Sequence, residues 1–131
     1  MISNAQQQER PRVLSLGSDP TLLRSRQFVL QDAGFDVISN IDIEHTVPDF
    51  DYQVSASVLC HSIPLERRLK LAATARDLMP RAGVVFIYYG QETFDARDID
   101  TVIRTPVAPA DLVGAVRRAI KKAEARTRGN I

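Results

Sequence analysis

The stretch Val58-Leu59-Cys60-His61-Ser62-Ile63-Pro64 carries an apolar run into a polar turn and a proline. It reads as the end of a buried strand, a short loop and the entry to a helix. Upstream, Val54 to Cys60 is rich in small and β-branched residues, which suits a central strand. Downstream, Leu65 to Met79 has helical spacing, with Leu65, Leu69, Ala72 and Ala73 on one side and Arg67, Arg68 and Lys70 elsewhere. Pro80 and Gly83 end that helix. Val84 to Tyr89 is a continuous apolar and aromatic run, the pattern of a strand covered on both faces of a parallel sheet. Gln91 to Arg97 has room for about a turn or two of helix. Thr101 to Arg104 reads as a short strand. Ala108-Pro109-Ala110-Asp111 then opens a last helix whose core face is Leu112, Val113, Val116 and Ile120.

The N-terminal half repeats the pattern. Arg12 to Leu16 is a short apolar strand entering Gly17-Ser18-Asp19-Pro20, where Asp19 suits an N-cap and Pro20 the first helical position. The helix runs from about Thr21 to Ala33. Leu22, Val29 and Ala33 form its apolar face with Leu23 and Leu30 beside them, and Gly34 is its stop. Phe35 to Ser39 is a second strand. From Asn40 to Tyr52 a proline and several acids leave room for only a short or distorted helix. Strands alternating with helices imply right-handed crossovers and an α/β fold with a doubly wound, flavodoxin-like, five-stranded parallel sheet. Ligands bind such sheets beyond the carboxyl ends of the strands. That rim would be built from Gly17, Ser18 and Asp19, Cys60 and His61, Tyr88 and Tyr89, and Thr105 and Pro106.

The 131 residues fit one domain. The expected divisions are a flexible leader over 1–10, a folded domain over 11–123 and a basic tail over 124–131. With 44% hydrophobic and 25% charged residues, the composition is that of an ordinary soluble protein, and no apolar run is long enough to span a bilayer. The polar, Gln-rich start has no signal-peptide h-region, and a single cysteine excludes an internal disulfide framework; both fit a cytoplasmic protein. The net charge of +1 is unevenly spread: residues 27–66 hold seven acids and no Lys or Arg. Arg117, Arg118, Lys121, Lys122, Arg126 and Arg128 stand against Glu124 alone near the C-terminus. Cations there favour a helix end, and no aromatic interleaves with them to suggest a single-strand nucleic-acid platform.

Three segments carry a family resemblance. They are Val13-Leu14-Ser15-Leu16-Gly17-Ser18-Asp19-Pro20, the helix stop Gln31-Asp32-Ala33-Gly34-Phe35-Asp36-Val37, and Arg104-Thr105-Pro106-Val107-Ala108-Pro109-Ala110-Asp111-Leu112. In order and spacing, from about Arg12 to Lys122, the chain resembles the receiver domain of bacterial response regulators. The resemblance implies a CheY-like doubly wound sheet with helices on both faces, here with a shortened fourth helix. An active receiver holds Mg²⁺ with carboxylates after the first strand and accepts a phosphoryl group on an aspartate after the third. A hydroxyl after the fourth strand and a lysine after the fifth offset the charge.

This sequence departs from that pattern at nearly every point. The acidic pair aligns with Gly17 and Ser18, leaving Asp19 beside them. The acceptor aligns with Cys60, four residues before Pro64. The hydroxyl position aligns with Tyr88 or Tyr89, and the lysine with Thr105, followed by Pro106 in a bond that is often cis in the family. The aromatic switch position aligns with Val102. Taken together, the resemblance implies a degenerate, phosphorylation-independent receiver with no catalytic residue, metal or cofactor.

The residues themselves admit other readings. Cys60-His61 invites a nucleophilic thiol, but neighbours in a strand point to opposite faces and would diverge, leaving an inert buried Cys. One Cys and two His are too few for a metal site. Tyr88-Tyr89 could stack on a flat ligand, or one ring could pack on the sheet while the other plugs the rim. No glycine-rich dinucleotide or P-loop motif occurs. Three function classes follow: a stand-alone protein-interaction module of two-component-type signalling, a working receiver with an atypical acceptor, or a small enzyme or ligand binder using Cys60 or the tyrosines. For the first, the partner would be a histidine kinase, a downstream effector or a second copy. It would dock on the outer faces of the first and last helices through Arg24, Arg26, Arg117, Arg118 and Lys121.

Overall fold

The computed structural model describes residues 10–41 and 53–129. The elements run β1 (Arg12–Leu16), α1 (Pro20–Asp32), β2 (Asp36–Asn40), β3 (Ala56–Leu59), α2 (Leu65–Leu78), β4 (Gly83–Tyr88), β5 (Thr101–Arg104) and α3 (Pro109–Gly129). The five strands form one sheet in the order β2-β1-β3-β4-β5, every pair parallel. The stretch expected to hold a distorted helix, Asn40 to Tyr52, falls almost entirely outside the described residues.

Alternation along the strands splits the core in two. Leu14, Leu16, Leu59, Val84 and Phe86 face α2 on one side of the sheet. Val13, Ala56, Val58, Val85 and Ile87 face α1 and α3 on the other. Helix α1 starts as the residues dictate: Asp19 Oδ1 accepts from the amides of Thr21 (2.9 Å) and Leu22 (3.4 Å), and Pro20 follows. It stops in a Schellman turn, in which the amide of Phe35 donates to Leu30 O (3.1 Å) and that of Gly34 to Gln31 O (3.0 Å). Gly34 takes φ +100°, where a side chain is strained. Helix α3 lies so close to the sheet that a Cβ on Gly83 would sit 2.4 Å from Ala119 O. The small residues Ala115, Ala119 and Ala123 make that approach possible.

Three expectations about the helices need correction. The buried stripe of α2 is Arg68, Leu71, Ala72 and Ala75, while Ala73 is exposed. The buried stripe of α1 is Leu23, Arg26 and Leu30, one residue round from the expected face. Between β4 and β5 there is no helix at all, rather than a turn or two. That connection is held instead by side chains: Phe94 and Ile99 pack on the α2-side core, and Glu92 Oε1 accepts from the Tyr89 amide at 3.2 Å.

The amino end of the sheet is tied by Asp100. Its carboxylate accepts from Arg76 (3.1 Å), Arg126 (2.6 Å) and the Val84 amide (2.8 Å), joining α2, α3 and β4. Lys122 Nζ donates to Asp100 O at 2.8 Å. Helix α3 continues to Gly129, so these C-terminal cations sit on the helix.

Candidate functional site

At the opposite, carboxyl end of the sheet, the loops after β1, β3, β4 and β5 meet in one rim. Gly17 lies tightly in it: an added Cβ would be 2.9 Å from Cys60 Cβ. The Ser18 amide donates to Ser62 Oγ (2.9 Å), and Ser62 in turn donates to Cys60 Sγ through its hydroxyl (3.2 Å) and its amide (3.5 Å). Cys60 is 1% exposed. Asp19 is occupied as the helix cap. Thr105 bonds back to β4, its amide donating to Tyr88 O at 2.9 Å, and the Thr105–Pro106 bond is cis.

Cys60 and His61 do not diverge as a strand would make them. Pairing in β3 ends at Leu59, and the chain turns over residues 61–62, so alternation lapses. Cys60 Sγ and His61 Nδ1 are 3.9 Å apart. Arg26 joins them from α1. The sequence places it on an outer surface, but it is 8% exposed, with Nη1 donating to Cys60 Sγ at 2.6 Å and Nη2 lying 3.5 Å from His61 Nδ1. The spacing of Leu23, Arg26 and Leu30, three and four residues apart, puts all three on the core-facing stripe. That spacing was the available signal.

A second arginine braces the rim from below. Arg68 is 0% exposed. It donates to Ile63 O (2.8 and 3.0 Å), His61 O (3.3 Å) and Ile87 O (3.0 Å), and forms a two-pronged pair with Glu92 (3.0 and 3.1 Å). Its guanidinium lies 5.0 Å from the Phe86 ring centroid. One side chain thus ties the loop after β3 to the loop after β4. The hydrogen bonds from Arg68 hold the Glu92 carboxyl below the ordinary range. His61 is also shifted down, by burial first and then by the positive charges of Arg26 and Arg68, against smaller opposing effects of Glu92 and Asp19.

The two tyrosines part company. Tyr88 packs edge-on against Phe94 (centroids 5.5 Å apart) over the α2-side core. Tyr89 is 52% exposed and meets the His61 ring at 5.8 Å. Val102 is exposed on β5. Of the surface cations, Arg24, Arg117, Arg118 and Lys121 are exposed. Arg117 reaches Ala33 O (3.4 Å) and lies 5.9 Å from the Phe35 ring centroid. Among the described residues, no three His, Cys, Asp or Glu side chains converge as metal ligands, and no helix is long and apolar enough to cross a membrane.

No family model matches the sequence, and neither does any curated protein. Solved structures do match. A response regulator receiver domain protein from Clostridium thermocellum is 16% identical with a TM-score of 0.77, covering 88% of this chain and 98% of its own. A CheY-like receiver domain protein from Methanospirillum hungatei is 17% identical with a TM-score of 0.75, covering 90% and 99%. This chain has the receiver fold. A structure described as an adenylate cyclase from Rhodopirellula baltica also matches, at 17% identity and a TM-score of 0.77, covering 92% of this chain and 95% of its own. At these identities the likeness is one of architecture, and function is argued from the rim itself.

Proposed function

We propose that this chain is a degenerate receiver: a phosphorylation-independent protein-interaction module of two-component-type signalling. One observation carries the reading. At the rim, where receiver chemistry needs carboxylates, an acceptor aspartate and a lysine, stand Gly17, Ser18, Cys60 and Thr105, and a buried Arg26 points at Cys60. A guanidinium there repels Mg²⁺, and a thiol cannot replace a carboxylate in acyl-phosphate chemistry. Asp19 is spent on capping α1. Output would pass through partner contacts on the exposed cations Arg24, Arg117, Arg118 and Lys121. Arg26 leaves that set because it is buried.

The test is an amide-resolved NMR titration with Mg²⁺ followed by beryllofluoride, a phosphoryl mimic. The expected result is no saturable, Mg²⁺-dependent shift at Asp19, Cys60, Tyr88 or Thr105. Such a shift would restore the working-receiver reading.

A further inference from the structure

Arg26 is a buried cation. Among the described residues no carboxylate pairs with it. The two carboxylates near enough to act on His61 are engaged elsewhere, Asp19 at the amides of α1 and Glu92 at Arg68. What Arg26 does touch, a cysteine sulfur and an imidazole nitrogen, satisfies a guanidinium poorly. Buried charges in proteins are paired, because an unpaired one forfeits its hydration with nothing in return. Arg26 also lines a cleft of about 450 Å³ between α1 and the turn leading into α3. Leu22, Val29 and Leu112 give the cleft apolar walls, His61 and Thr105 add polar groups beside Arg26, and no carboxylate lines it. The volume lies in the range of small-molecule sites, and the position is the rim where doubly wound sheets bind ligands.

We propose that this cleft is a binding site for a small organic oxyanion, a phosphate monoester or a carboxylate, with Arg26 as its anchor and the apolar walls holding its body. The guanidinium offers a planar fork of N–H donors that matches either head group. The binding is non-covalent and needs no metal. Such a site would give the module a chemical input in place of phosphorylation, and it stands whether or not a protein partner is found.

The experiment is an amide-resolved NMR titration of the full chain at constant ionic strength, without Mg²⁺. The probes are phenyl phosphate, benzoate, inorganic phosphate and benzyl alcohol. Saturable shifts at Arg26, His61 and Thr105 are expected with phenyl phosphate or benzoate, whichever head group fits. Binding to inorganic phosphate or benzyl alcohol should be at least about tenfold weaker. Arg26→Met should weaken the binding about tenfold or more. Should that variant unfold, Ser25→Glu places a competing carboxylate at the exposed lip of the same cleft and should abolish binding in a folded chain. Arg81→Met, at the far end of the sheet, should leave the affinity unchanged. The idea is overturned if neither organic anion gives a saturable shift, if benzyl alcohol binds as well, or if Ser25→Glu binds like the parent. It is equally overturned if ultraviolet thiolate absorbance from Cys60, absent in Cys60→Ser, shows that the counter-charge of Arg26 is the sulfur itself.

Discussion

Two buried arginines decide the character of the rim, and they do so by different means. Arg68 is fully partnered, with carbonyls, Glu92 and an aromatic face around it. Removing it strips Glu92 of its counter-charge and leaves the carbonyls of His61, Ile63 and Ile87 short of a donor. Arg68→Met is therefore expected to cost about 3 kcal/mol or more, seen as a lower urea midpoint at an unchanged slope. Glu92→Gln, which keeps an acceptor beside the guanidinium, should cost less; a loss below about 1 kcal/mol for Arg68→Met would refute the bracing role. His61 reports on Arg26. Its folded pKa is depressed from 6.5, so the unfolded chain binds more protons as pH falls below that value. The His61 contribution to stability is complete above pH 6.5 and is lost as pH falls through the folded pKa. A proton NMR titration should place the His61 midpoint below 6.5, and Arg26→Met should move it back up. A midpoint that ignores Arg26→Met would contradict the proximity of the two side chains.

Elements were legible where their signals are local. Asp19-Pro20 and Gly34 mark both ends of α1 because capping and left-handed stops depend on a few adjacent atoms. The strands were legible from apolar runs, and their parallel pairing from the alternation with helices. The helix faces were not. Reading Arg26 as outward-facing and setting Arg68 apart from the apolar side followed their charge, whereas spacing alone puts each on a buried stripe; Arg68 is buried among distant carbonyls and Glu92, and Arg26 against a sulfur, partners that no local pattern reveals. The β4–β5 connection failed for the same reason, since Glu92 and Phe94 are fixed by partners from α2 and β4 rather than by helical propensity. Packing of α3 gives the element-scale prediction. Gly83→Ala would put a methyl 2.4 Å from the Ala119 carbonyl oxygen, a backbone atom that cannot rotate away. The expected loss is about 1–3 kcal/mol in chemical denaturation. A variant as stable as the parent would mean that α3 can lift from β4 freely.

For the molecule as a whole, the two ends of the sheet do different work. Asp100 binds α2, β4 and α3 together at the amino end, far from any rim chemistry. The carboxyl end carries the cation-rich rim. On the proposed degenerate reading, one substitution at that rim should not create a reaction: Cys60→Asp, incubated with acetyl phosphate and Mg²⁺, is expected to gain no phosphoryl mass, because Gly17, Ser18 and Thr105 supply neither metal-binding carboxylates nor a lysine and Arg26 would neutralise the new aspartate. A stoichiometric mass gain would show that the surrounding residues suffice. The tight fit at Gly17 carries this further. Any residue but glycine at 17 meets the Cβ of residue 60, whether that residue is cysteine or aspartate, at 2.9 Å. Short of glycine at 60, no exchange of side chains relieves that collision; the two loops must first part. An acidic residue at 17 therefore asks first for a change of backbone rather than of side chain, so the path from this sequence to an acidic rim at that position begins with the loops and not with the chemistry.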